Sequence, residues 1–135
     1  MARYIITGNY TAAAMKGMMA HPSDRGAASG KIAAAAGGTL EHYFVTTGAS
    51  DFMMIVSTES DNFADMVAAL MVAGGSGAIS NLQTVRALTS DEFTAVQKKA
   101  GQIAAAYAPP ALAIFAAASK RSLGCAIMPF IAAAL

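Results

Sequence analysis

The order in which the hydrophobic period changes along the chain limits its fold more than any other feature. Tyr4 to Tyr10 is rich in β-branched and aromatic residues and predicts a strand. Thr11 can accept from a free first-turn amide, which places a helix over Ala12 to Ala20. His21-Pro22 interrupts it, because proline disfavours helical geometry in the residue before it. A second helical stretch runs from Asp24 to Ala36 and stops at Gly37-Gly38. Leu40 to Thr47 alternates as a strand does, with Leu40, His42, Phe44 and Thr46 on one face and Glu41, Tyr43, Val45 and Thr47 on the other. Gly48 to Asp51 forms a turn and Phe52 to Thr58 a further strand, so the pair reads as an antiparallel hairpin. Phe63, Met66, Val67, Leu70 and Met71 then fall at helical spacing, with Ser60 or Asp61 as cap and Gly74-Gly75 and Gly77 as the close. Ile79 to Leu88 is a fourth strand of mixed polarity. Thr89 with Glu92 is a capping-box pattern that opens a helix from Ser90 to about Tyr107, ended by Pro109-Pro110.

The resulting order is β-α-β-β-α-β followed by a terminal helix, the α+β ferredoxin-like split arrangement with a four-stranded antiparallel sheet. Such a sheet has two faces, and its own helices shield one. The other face needs cover from outside the chain, and pairing two sheets face to face supplies it. A homo-oligomer, dimer or higher, is therefore expected.

Composition points the same way. Hydrophobic residues make up 56% of the 135 and charged residues 13%, against roughly 25% charged in an average domain. So few charges leave apolar surface for another chain to cover. The formal net charge is +1, and the nine Lys and Arg residues are scattered, which argues against nucleic acid as a partner. The one cysteine, Cys125, permits neither an intramolecular disulfide nor a cysteine zinc cage. No basic segment followed by an apolar run opens the chain, and no apolar run reaches the roughly 18–20 residues of a membrane span. A cytoplasmic protein is expected, with membrane attachment the least favoured role.

Residues 108–135 differ from what precedes them. Two apolar runs, Ala111 to Ala118 and Cys125 to Leu135, flank Ser119-Lys120-Arg121-Ser122. The expected organisation is a ferredoxin-like domain over 1–107 and a helical apolar extension over 108–135 that packs between subunits or docks a larger complex.

The segment Tyr4-Ile5-Ile6-Thr7-Gly8-Asn9-Tyr10-Thr11, the Gly37-Gly38 pair, the Phe44 to Asp51 hairpin and the run Val85-Arg86-Ala87-Leu88-Thr89 to Glu92-Phe93 resemble the GYD-domain proteins over roughly residues 1–99. Gly48 and Asp51 are kept, but Ser50 stands where the family has tyrosine, so no role of that phenol is carried over. The resemblance implies a dimeric α/β barrel. Related barrels include monooxygenases, isomerases, haem-handling proteins and ligand-sensing modules, so fold analogy selects no activity.

Several side chains are candidates for chemistry. His42, if its face looks into a barrel, can act as a general base or hold a cofactor; otherwise it is a satisfied core or edge histidine. Asp51 is either a carboxylate at the barrel mouth or an acceptor for turn amides. Arg86 can clamp an anion bidentately or pair with Asp51 or Glu41. Asn9, Tyr10, Thr46 and Met53 are candidate ligand contacts, with Tyr43 a further polar group. His21 precedes Pro22 in a loop, and the two histidines lack the carboxylate or cysteine spacing of a metal site. No cofactor is expected. The first functional expectation is a small-ligand-binding or accessory protein that works as a homo-oligomer on an apolar ligand. The second is a cofactor-independent barrel enzyme with His42 as base, Arg86 as clamp and Asp51 as orienting group. The third is haem handling with His42 as axial ligand.

Overall fold

The computed structural model describes residues 1–59, 61 and 63–107. The expected packing of the 108–135 extension lies outside them, as does Ser60. The strands are β1 (Ala2–Tyr10), β2 (Gly38–Val45), β3 (Phe52–Thr58) and β4 (Ile79–Ala87), and the helices are α1 (Ala12–Ala20), α2 (Arg25–Ala35), α3 (Phe63–Gly75) and α4 (Ser90–Ala106). The sheet order is β2-β3-β1-β4, antiparallel throughout. This is the α+β ferredoxin-like arrangement that the sequence pattern predicts. Met1–Thr89 forms one compact unit and a second begins at Ser90, ahead of the composition change at Pro109-Pro110.

The helix starts are set by short polar side chains. The Thr11 hydroxyl accepts from the Ala14 amide at 3.2 Å and donates to the Gly77 carbonyl at 2.8 Å, so it caps α1 and ties it to the turn before β4. Asp24 Oδ1 accepts from the Ala27 amide at 3.1 Å and caps α2. Gly37, with a φ of +76°, ends α2 in the left-handed region that side chains rarely adopt. Asp61 has a different use from the cap that its position suggests: its carboxylate accepts from Arg86 at 2.9 Å.

The core lies on one side of the sheet. Ala2, Tyr4 and Ile6 from β1 and Val56 from β3 pack with Ala33 of α2 and Met66 of α3, and Leu40, Met54, Leu70 and Leu82 close around them. Side chains alternate along each strand, so Arg3, Ile5 and Thr7 point the other way.

Two bulges break that alternation where the sequence pattern alone keeps it. In β2, Leu40 pairs with Val56 but His42 pairs with Ile55, so Glu41 is an extra residue. Leu40 therefore lies on the core side while His42 and Phe44 lie on the opposite side. The shared face expected for Leu40 and His42 is corrected by this insertion. In β4, Thr7 pairs with Gln83 and Asn9 with Ser80, which leaves the extra residue on β4. Asn81 there takes a φ of +52°, a left-handed conformation that asparagine tolerates better than most residues.

Gly8 marks the tightest point of the sheet. A Cβ there would lie 2.9 Å from Phe52 Cζ and 3.2 Å from Leu82 Cδ2. Phe52 is 1% exposed, and its ring sits 5.3 Å from that of Tyr10 and 5.8 Å from that of Tyr43, so it has nowhere to move. Gly8→Ala should therefore lower the unfolding free energy by about 1–3 kcal/mol, the usual cost of overpacking, in urea denaturation. A change below about 0.5 kcal/mol would show that the clamp yields.

Candidate functional site

The side of the sheet facing away from α2 and α3 is organised as rows of facing residues. One row crosses all four strands as His42, Ile55, Ile5 and Val85, and the next runs Phe44, Met53, Thr7 and Gln83. Ile5, Ile55, Val85, Phe44 and Met53 are the apolar members of these rows, and His42, Thr7 and Gln83 the polar ones. Phe44 is 49% and Val85 56% exposed. The His42 imidazole lies flat against the Phe44 ring, 5.8 Å between centres and 12° from parallel. A third row, with Ser57, Arg3 and Ala87, is pinned by Arg3 Nε donating to Glu41 Oε2 at 3.3 Å. A hydrogen bond from Ser57, and then the Arg3 guanidinium, hold the Glu41 carboxyl below its ordinary value of 4.5. Glu41 thus stays ionised beside Arg3 and Ser57 at one end of the face.

The carboxylate of Asp51 is committed to the backbone. Asp51 Oδ2 accepts from the Tyr10 amide at 3.0 Å, its own amide donates to the Gly8 carbonyl, and its carbonyl accepts from the Thr46 amide, both at 2.9 Å. The Thr46 hydroxyl donates to the Ser50 carbonyl at 2.7 Å. Asn9 Nδ2 donates to the Ala49 carbonyl at 3.2 Å while its Oδ1 accepts from Asn81 at 3.2 Å. Together these bonds lock the end of β1 to the hairpin turn and to the β4 bulge. Of the ligand contacts expected from sequence, Thr46 serves the turn, Asn9 sits where that lock meets the open face, and Met53 lies on the face itself.

Tyr10 points to the core side instead. Its hydroxyl shares a hydrogen bond with that of Tyr43, and both rings flank Phe52. The first turn of α2 lies over this cluster: a Cβ on Gly26 would stand 3.5 Å from Tyr43 Cβ. Burial first, and then the bond to Tyr10, push the Tyr43 phenol far above its ordinary value of 10.0, against the opposing charge of Arg25 and a hydrogen bond with Ser29. Tyr43 therefore holds its proton and is no base at neutral pH. Tyr43, named by sequence only as a further polar group, anchors this cluster.

The trio expected for catalysis is not brought together within the chain. His42 stands on β2, one edge of the sheet, and faces the open side. Arg86 stands on β4, the other edge, opposite the core residue Tyr4, and pairs with Asp61 and with neither Asp51 nor Glu41. Asp51 lies at the hairpin end. Among the described residues, no group of three or more His, Cys, Asp or Glu side chains is placed to hold a metal ion. No helix among them is long and apolar enough to cross a membrane.

The sequence matches the family model described as the GYD domain over residues 4–96. Solved structures similar to the chain include FFRP-DM1, at 16% identity over 65% of this chain and 100% of that one with a TM-score of 0.39. They also include TTHA0845 from Thermus thermophilus, at 14% identity over 67% of this chain and 96% of that one with a TM-score of 0.42. A third is the hypothetical protein PHS023 from Pyrococcus horikoshii, at 16% identity over 67% of this chain and 93% of that one with a TM-score of 0.39. No curated protein matches the sequence.

The phenol pair gives a signed pH dependence. Above about pH 10 an unfolded tyrosine releases its proton while folded Tyr43 keeps its own. The unfolded state then binds fewer protons, so stability is complete below pH 10 and falls as pH rises above it. Urea midpoints measured from pH 8 to 11 should decline at the alkaline end, and less steeply in Tyr43→Phe. An identical alkaline decline in that variant would remove Tyr43 as its source.

Proposed function

The chain belongs to the GYD domain family, and from that premise we propose that it works as a homo-oligomer whose sheet faces cover one another and hold a small apolar ligand. The supporting observation is the open face itself. Ile5, Phe44, Met53, Ile55 and Val85 form a contiguous apolar patch across all four strands, and Phe44 and Val85 are about half exposed. Patches of this kind on a charge-poor chain mark surfaces that another molecule covers. Sheets that pack face to face stand about 10 Å apart, with side chains from both filling the space.

The polar members of the face suit a ligand with an apolar body and one polar group. Thr7 and Gln83 at one side and His42 at the other offer donors and acceptors, while Met53 supplies an adaptable surface between them. His42 then serves recognition, stacked on Phe44, and the locked turn of Asp51, Asn9 and Thr46 keeps the end of the face rigid.

An unpaired charge buried at an interface costs roughly 3–5 kcal/mol, so Val85→Glu should weaken self-association at least about a hundredfold. Native mass spectrometry of the wild type should show an assembly carrying a releasable small-molecule adduct. The Val85→Glu and Phe44→Asp variants should give folded single chains without the adduct. Assemblies of unchanged size in both variants would refute the sheet-face reading.

A further inference from the structure

A small cavity of ≈ 160 Å³ opens where α1 hands over to α2. Gly17 and Met18 of α1, His21 and Ser23 of the connecting loop, Arg25 of α2 and Ala78 just before β4 line it. Hydrogen bonds of the fold hold these walls in place. The Thr11 amide donates to the Ala78 carbonyl at 3.0 Å, which pins the start of α1 to the approach of β4, and the His21 amide donates to the Gly17 carbonyl at 2.9 Å. Asp24 Oδ1 accepts from the Ala27 amide at 3.1 Å, so this carboxylate is engaged by the start of α2.

Arg25 is the lining group that the chain leaves incomplete. It is partly buried, yet it forms no ion pair among the described residues, and its Nε is buried without an acceptor. A guanidinium withdrawn from water without a counter-charge is unfavourable. The Tyr43 phenol feels the Arg25 charge but keeps its proton, so it supplies no anion. Around Arg25, the Ser23 hydroxyl and the His21 imidazole add donors. The positive end of α2 and the negative end of α1 both reach this region, so their dipoles offset. The preference for an anion therefore comes from the side chains.

We propose that this cavity binds a phosphate group, free or at the end of a small phosphomonoester. Arg25 supplies the charge and a planar fork of donors that matches phosphate oxygens. Ser23 and His21 meet other oxygens of the same tetrahedron, and Met18 and Ala78 give a short substituent an apolar wall. Size sets the limit. A water's share of liquid volume is about 30 Å³, so a phosphate group fits, whereas drug-sized ligands occupy sites of roughly 300 Å³ or more. None of these residues lies on the sheet face, so the proposal does not rest on that reading.

Equilibrium dialysis of the full-length protein against radiolabelled inorganic phosphate, with glycerol phosphate in a parallel arm, tests this. The wild type should take up one equivalent per chain and saturate in or below the millimolar range, and the arm that binds tighter identifies the source. Arg25→Gln should weaken binding at least about tenfold, the loss of a charge-assisted contact. Gly17→Leu should do the same without removing a donor. A Cβ at Gly17 meets nothing within 4 Å, so the helix accepts the change and the longer side chain fills the cavity. Arg86→Gln, which removes a cation already paired with Asp61, should bind as the wild type does. Absence of saturable uptake would overturn the proposal. So would unchanged uptake in Arg25→Gln or Gly17→Leu, or an equal loss in Arg86→Gln.

Discussion

A four-stranded sheet has two faces to keep from water, and in the Met1–Thr89 unit α2 and α3 lie against one of them. Tyr4, Ile6 and Val56 face those helices and are nearly inaccessible, while Ile5, Ile55 and Val85 alternate to the far side. The alternation is a property of strand geometry. Every residue that builds the core thus commits a neighbour to the opposite surface. An apolar residue on that surface gains free energy only when something covers it, at about 25 cal/mol per Å² removed from water.

Two insertions adjust what each face displays. Glu41 in β2 turns His42 and Phe44 onto the open side, where they stack, and adds a carboxylate that Ser57 and Arg3 hold ionised. Asn81 in β4 reaches Asn9 and helps to tie the strand ends to the hairpin. Bulges of this kind re-aim side chains at the cost of a local pairing. Here they separate a rigid polar end, centred on Asp51, from an apolar middle. The Tyr10–Phe52–Tyr43 cluster stiffens the same end from the core side.

The strand and helix order was legible in the sequence because Gly, Pro and short polar caps punctuate it at Thr11, His21-Pro22, Asp24 and Gly37-Gly38. The hairpin was legible for the same reason, and the Tyr4 to Thr11 and Val85 to Phe93 runs carried the family. Side-chain direction was less so. Strict alternation placed Leu40 with His42, and one inserted residue at Glu41 separated them; nothing in the local sequence of a strand announces a bulge at a glutamate. Arg86 was expected to clamp an anion or to pair with Asp51 or Glu41, yet its partner Asp61 lies in the loop before α3, where the local pattern suggested a helix cap. For Asp51 the alternative was an acceptor for turn amides; its carboxylate does accept from a backbone amide, but from that of Tyr10 at the end of β1.

The recognition role proposed for this face is drawn from these placements. Its histidine is stacked, its carboxylate is paired with arginine, and its centre is aliphatic and thioether. The account depends on that face being covered by another copy. Sedimentation velocity of the full-length protein across the micromolar range tests this most directly. The account predicts a species of at least twice the single-chain mass throughout, whereas a stable single chain over the whole range would contradict it.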